Sequence, residues 1–311
     1  MRPRVGAGGD ACVCECGLYS KREHTIFSCW TGGRGLFAET SMNRIALILT
    51  LAAYLLSLGF YVRFLNTGRE LIGWLGTLFL ALGLVAHCFA LLERSPGLHT
   101  VPYYDLYGSM SLFGWLLALI YLGLELYHRQ QSVGAFVLPF ILVFLLAAHL
   151  APADRLPPPS VDGIVFAFHV TLSILAYAAF ALSFVLSLIF LGEERLLRKH
   201  ELGNMVWRLP PLELLERMSR SSVLVGLVSI AIGTAMGFVS VDRLMGQYWF
   251  YDPKYVVTLF VLLLYVLYFR LARTAAWRGA RASKLCIFNF VVVVLSFTVV
   301  NLYLSHSHRY F

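Results

Sequence analysis

Histidines carry most of the chemistry open to this 311-residue chain. His169 is the seventh residue of an apolar run that starts at Gly163, and the chain closes Asn301-Leu-Tyr-Leu-Ser-His306-Ser-His308-Arg-Tyr-Phe. A further segment, Asp242-Arg-Leu-Met-Gly-Gln-Tyr248-Trp249-Phe250-Tyr251-Asp252-Pro253-Lys254, sets four aromatics in a row. Imidazole pairs can coordinate a transition metal, ligate haem iron from both faces, or relay protons. A zinc or copper centre would add carboxylate or thiolate ligands, and these segments contain no cysteine. The aromatic run would offer a porphyrin flat apolar surface, with Arg243, Lys254 and Arg309 to neutralise its propionates. Plainer readings stand beside this one: Trp and Tyr at a membrane edge act as interfacial anchors, and Ser-His-Ser-His-Arg is also what a solvated chain end looks like. No Ser/His/Asp arrangement or carboxylate pair points to hydrolysis.

These residues matter together only if the chain brings them to one place, and composition says what does so. Hydrophobic residues make up 59% and charged residues 14%, against about 25% charged in soluble proteins; mean hydropathy is +0.73. The expected fold is an all-α, polytopic integral membrane protein of about eight transmembrane helices joined by short loops. The candidate spans are Ile45–Tyr61, Leu71–Leu92, Ser109–Tyr127, Val133–Leu150, Gly163–Leu191, Val223–Val241, Tyr255–Phe269 and Leu285–Leu304. Their length, at roughly 20 residues per crossing, leaves no room for a large extramembrane domain.

The net charge of +8 is read as topology, so no nucleic-acid partner is expected. Alternating the loops puts 14 Lys/Arg on one side, mostly in Glu193–Ser221 and Arg270–Lys284, against five on the other. The richer side is cytoplasmic by the positive-inside rule. Both chain ends then lie outside, and His169, the aromatic loop and the terminal histidines share the outer face. At about 1.5 Å per residue, His169 sits roughly 10 Å from the outer end of its helix. The cytoplasmic stretch Leu196–Met218 has helical apolar spacing and would either lie in the membrane interface or serve as an ordinary basic loop. Neither an inverted repeat nor paired Gly/Pro-broken spans suggests a solute transporter.

Residues 1–41 fit this plan poorly. They hold four of the six cysteines, Cys12, Cys14, Cys16 and Cys29, in Gly-rich surroundings without hydrophobic periodicity. They are expected to be an extension outside the domain, either an over-extended translation start or a disordered tail, and residues 42–311 a single membrane domain. The Cys-x-Cys-x-Cys spacing does not match the usual zinc pattern. Cys88 and Cys286 fall within spans and read as small buried hydrophobes.

Gly246-Gln-Tyr248-Trp249-Phe-Tyr251-Asp252-Pro253-Lys254, followed by an apolar span with Tyr265 and Tyr268, resembles the tryptophan-rich "WWD" signature of the cytochrome c assembly family, in particular the CcsA (ResC) proteins of system II. Pro102-Tyr-Tyr-Asp-Leu-Tyr107-Gly-Ser109, leading to Phe113-Gly-Trp115, is similar to that family's segment before a span. The stretch His169 to Tyr177 resembles its periplasmic histidine helix, Leu209-Pro-Pro-Leu-Glu213 through Arg220 its connector, and Val300-Asn301 to His308 its closing segment. The likeness covers residues 43–311.

The resemblance implies a haem-handling membrane protein of cytochrome c biogenesis. Such a protein holds haem b transiently and non-covalently at the outer face for attachment to Cys-x-x-Cys-His of apocytochrome c. The family's two periplasmic iron ligands map to His169 and His308, with His306 the close alternative; the aromatic loop maps to Tyr248, Trp249, Tyr251 and Asp252. The implied partners are apocytochrome c, the lipid bilayer and a ResB/CcsB-like membrane subunit, as a component of a haem-lyase (holocytochrome c synthase) complex. The implied location is the bacterial inner membrane, with both termini periplasmic. Met245 and Tyr251 stand where signature tryptophans occur, Val257 and Leu262 at further tryptophan positions, and Arg270 where a histidine of an inner haem position is common. Arginine cannot ligate iron, which leaves His87 and His149 as intramembrane candidates that read first as packing residues. These departures keep two alternatives in view: a HemX-like membrane regulator of haem synthesis, and a membrane scaffold that binds no haem.

Overall fold

The structure is a computed structural model, and it describes residues 35–94, 106–150, 164–200, 209–245 and 253–299. Every regular element among them is helical. In chain order these are α1 (Gly35–Thr67), α2 (Glu70–Arg94), α3 (Leu106–His128), α4 (Gly134–Leu150), α5 (Ile164–Arg198), α6 (Leu212–Met245), α7 (Pro253–Leu271) and α8 (Ala280–Val299), with a single 3-10 turn, Ala275–Trp277, before the last. Five carry stretches long and apolar enough to cross a membrane: Ile45–Thr67, Glu70–Glu93, Tyr107–His128, Ile164–Arg198 and Leu212–Val239. Gly134–Leu150 and Tyr255–Leu271 are shorter apolar helices. Seventeen residues reach only about 26 Å against a hydrocarbon core of about 30 Å. The eight expected helices are thus present in order, and five of them meet the length and apolarity of a span among the described residues.

The bundle is apolar on its outer face, and its largely apolar interior also encloses polar groups. Ile48, Leu71, Trp74, Phe89, Val143, Leu263, Phe288 and Leu295 are exposed, whereas Thr50, Ser57, Thr77, His87, Ser111, Glu125, Ser183, Ser222 and Asn289 are buried. Lipid can solvate leucine but cannot hydrogen-bond a hydroxyl, so polar groups turn inward to one another. Glu125 of α3 shows this most clearly. It accepts a hydrogen bond of 2.7 Å from the Tyr61 hydroxyl of α1 and another from Thr77 of α2, tying three helices through one carboxyl group. Between α1 and α2 only Gly68 and Arg69 intervene; Gly68 adopts φ 68° and its N–H closes on Phe64 O at 2.8 Å, a left-handed helix stop suited to glycine.

α5 is the central helix. Ala178, Ala179, Leu182, Val185, Leu186 and Ile189 join the core shared with α1 to α4, while Ala176 and Phe180 join the core of α6 to α8. Small residues let α6 approach closely: a methyl added at Gly226 would lie 2.4 Å from Phe180 Cε1. The Phe180 ring in turn stacks on Tyr265 of α7 at 3.7 Å between centroids and 7° between planes.

The described ends of the stretch Leu196–Met218 belong to two long helices, and residues 201–208 lie outside the described residues. α5 continues to Arg198 and α6 already starts at Leu212. Leu215 and Met218 are fully buried in the bundle core, so these two apolar positions serve helix packing.

Candidate functional site

Contacts along α5 establish how the helix ends assemble. Near its start His169 meets Gly233 of α6, and further on Ser183 Oγ lies 2.8 Å from Ser219 Oγ, so the two helices run antiparallel. Ser219 Oγ is 3.3 Å from the Tyr268 hydroxyl, and Arg220 donates to Ala272 O at 3.2 Å, which sets the carboxyl end of α7 beside the amino end of α6. Cys286, early in α8, lies 2.9 Å from Ser183 Oγ, and Asn289 Nδ2 donates to Leu264 O at 3.1 Å. The start of α5, the end of α6, the start of α7 and the end of α8 therefore gather at one end of the bundle. That end is where His169 lies.

His169 is half-buried, and its ring occupies a place that α6 leaves open. A methyl at Gly237 would lie 2.5 Å from His169 Cε1 and 2.6 Å from Nδ1. One turn earlier on α6, the carbonyl oxygen of Gly233 lies 2.6 Å from Nδ1. A carbonyl can only accept, so Nδ1 carries the proton, and the neutral ring keeps its lone pair on Nε2. No hydrogen-bond partner of Nε2 occurs among the described residues. Phe166, one turn back on α5, sits 6.0 Å away between ring centroids. A backbone acceptor on one nitrogen, with the second unengaged among the described residues, is the arrangement that orients a metal-ligating imidazole.

The other intramembrane histidines differ. His87 is fully buried with both ring nitrogens engaged, Nδ1 at 3.3 Å from the Tyr54 hydroxyl and Nε2 at 2.9 Å from Ser111 Oγ. It joins α1, α2 and α3 and has no free nitrogen, in keeping with a packing role. His149, exposed at the end of α4, bonds through Nδ1 to Leu145 O at 2.8 Å and lies 5.5 Å from the Tyr107 ring. Cys286 is buried, as expected of a span cysteine, while Cys88 is half-buried. Among the described residues no three His, Cys, Asp or Glu side chains gather as a metal centre.

Of the residues expected to form the site, only His169 is described. His306, His308, Tyr248, Trp249, Tyr251 and Asp252 lie outside the described residues, as do Cys12, Cys14, Cys16 and Cys29. Gly233 and Gly237 were missed by the reading of polar side chains. Their signal was available as Gly233-Thr-Ala-Met-Gly237, a small-x-x-x-small spacing that lets another helix or ring approach the backbone.

Residues 103–308 match the family described as Cytochrome C assembly protein. The chain belongs to that family. The matched region begins three residues before α3, ends at His308, and takes in His169, the aromatic loop and both terminal histidines. Relatives extend the likeness toward the amino terminus. The cytochrome c biogenesis protein CcsA of Mesostigma viride is 25% identical over 270 residues, covering 79% of this chain and 88% of that protein. The CcsA proteins of Synechococcus sp. (strain CC9902) and Chlamydomonas reinhardtii are each 26% identical, over 235 and 221 residues, and cover 77% and 60% of their own lengths. This cytochrome c assembly protein is thus CcsA-like and, with its apolar helices, a multi-pass membrane protein.

Proposed function

We propose that this protein works in cytochrome c biogenesis by holding haem b, transiently and without a covalent bond, at the outer face of a bacterial inner membrane. His169 would hold the haem iron from one side, and a carboxy-terminal histidine, His308 or else His306, would supply the second imidazole. Tyr248, Trp249, Tyr251 and Asp252 flank the group, a ResB/CcsB-like subunit supplies the periplasmic domain, and apocytochrome c is the acceptor. Both termini face the periplasm, on the side with fewer basic residues.

The observation that carries this reading is the state of His169. Gly233 O holds the proton on Nδ1, Gly237 makes room for the ring, and Nε2 keeps its lone pair for a metal. A histidine of this kind fits an iron ligand better than a packing residue, for which His87, spent on both sides, is the comparison within the same chain. When bound, haem supplies the vinyl carbons that accept the thiols of the apocytochrome. The chain's own share is positioning: His169 is held at a fixed register by α6, and the aromatics offer a surface that grips by packing and can release.

The test is the visible spectrum of the purified protein. A Soret band is expected in the wild type, with strong loss in His169→Ala and in one of His306→Ala or His308→Ala, while far-ultraviolet circular dichroism remains helical. A folded His169→Ala protein with a full-strength Soret band would overturn the assignment.

A further inference from the structure

Opposite the His169 end, four arginines converge. Arg217, Arg220, Arg273 and Arg278 line an open pocket of about 340 Å³ between the amino end of α6 and the carboxyl end of α7, together with Ser221, Leu224 and Phe269. We propose that this pocket binds the phosphate of an anionic membrane phospholipid.

The local charge is under-compensated. Arg217 reaches only Glu213, at 3.9 Å, with both side chains more than half exposed. Arg220 shares Glu216 at 3.4 Å and is anchored by its bond to Ala272 O. The Arg273 guanidinium stands over Phe269, 4.8 Å from the ring centroid, and Arg278 has no ion-pair partner among the described residues. Two carboxylates, Glu213 and Glu216, thus pair with two of the four guanidinium groups. Guanidinium is the side chain best matched to phosphate oxygens, and the exposed Arg217, Arg273 and Arg278 would exchange at most one long ion pair and one ring contact for an anion. The positive-inside rule accounts for arginines in these segments but not for their convergence on one concavity.

The apolar wall distinguishes a lipid from free phosphate. From Leu224 at the pocket, α6 continues with Val228 and Ile232 at i, i+4 and i+8; the three are 47%, 50% and 48% exposed. They form one stripe from the arginines toward the middle of the bundle, the path an acyl chain takes away from its headgroup. The site is therefore amphipathic along the helix axis: cationic at the end, apolar beyond it.

The experiment uses the full-length protein in a neutral detergent. Native mass spectrometry follows the retention of dioleoylphosphatidylglycerol against dioleoylphosphatidylcholine, with inorganic phosphate as a separate arm. Wild type should retain phosphatidylglycerol preferentially. The double variant Arg273→Gln/Arg278→Gln, exposed and outside the core, should lose about tenfold in affinity, from roughly 1 kcal/mol for each basic residue near an anionic lipid, less screening. A charge-matched variant, Arg63→Gln/Arg129→Gln, should leave retention unchanged. Equal losses in the two variants would reduce the effect to overall charge and overturn the site. Equally good binding of inorganic phosphate, or equal retention of phosphatidylcholine, would overturn the lipid assignment.

Discussion

Changing Gly237 to alanine tests the His169 geometry most directly. The added methyl would stand 2.5 Å from Cε1 and 2.6 Å from Nδ1 of the imidazole, and ordinary contact begins at 3.4 Å, so the ring must retreat by about 0.9 Å or the helices must part by that amount. Either movement lengthens the 2.6 Å bond to Gly233 O toward about 3.5 Å, the limit of hydrogen bonding, or bends it. A neutral hydrogen bond of this type is worth about 0.5–1.5 kcal/mol, and loss of the partner that orients a metal-ligating histidine typically weakens metal binding about 10–100-fold. The substitution should therefore lower haem affinity by at least tenfold, read by titrating haem into purified protein and following the Soret band. Gly192→Ala is the control, since a methyl there meets nothing within 4 Å and a helical glycine is replaced in the same way. Equal haem affinity in Gly237→Ala and Gly192→Ala, both folded, would refute the claim that α6 aims His169.

Further expectations follow from the packing. Tyr61→Phe removes the 2.7 Å donor to buried Glu125 and should cost about 1–3 kcal/mol of stability, seen as a lower melting temperature in detergent, with haem content unchanged. His87→Leu leaves the Tyr54 and Ser111 hydroxyls without their imidazole partner and should likewise lower the melting temperature; a parallel loss of the Soret band would show that His87 handles haem after all. Gly226→Ala drives a methyl into Phe180, which Tyr265 holds from its other side, and should destabilise by about 1–3 kcal/mol in the same thermal assay.

Much of the bundle was legible in the chain because lipid demands long uncharged runs. Expected spans such as Leu71–Leu92 and Val133–Leu150 fall within a few residues of α2 and α4. The reading stopped short at α5 and α6, where charges were taken to mark a loop. There Glu194 with Arg198 at 2.8 Å, and Glu216 with Arg220 at 3.4 Å, are i, i+4 pairs that carry each helix onward, and Glu193 is buried against the bundle. His169 could be found from its type and its place in an apolar run. Its orientation could not, because the partner is a peptide oxygen 64 residues away and depends on how two antiparallel helices are registered. His87 already read first as a packing residue in the sequence; the convergence of Tyr54 and Ser111 from two other helices shows how its nitrogens are spent.

The acceptor that steers His169 belongs to the main chain. Substituting the residue at 233 would not delete that oxygen; displacing α6 along its axis would, since one residue of slip is about 1.5 Å. The aim of the imidazole is thereby coupled to the register of the α5–α6 pair, which the Ser183–Ser219 contact and the Phe180 ring over Gly226 pin from far down the bundle. Mutations in that distant layer, with no contact to His169, should shift the position of its Nε2 as readily as changes beside it.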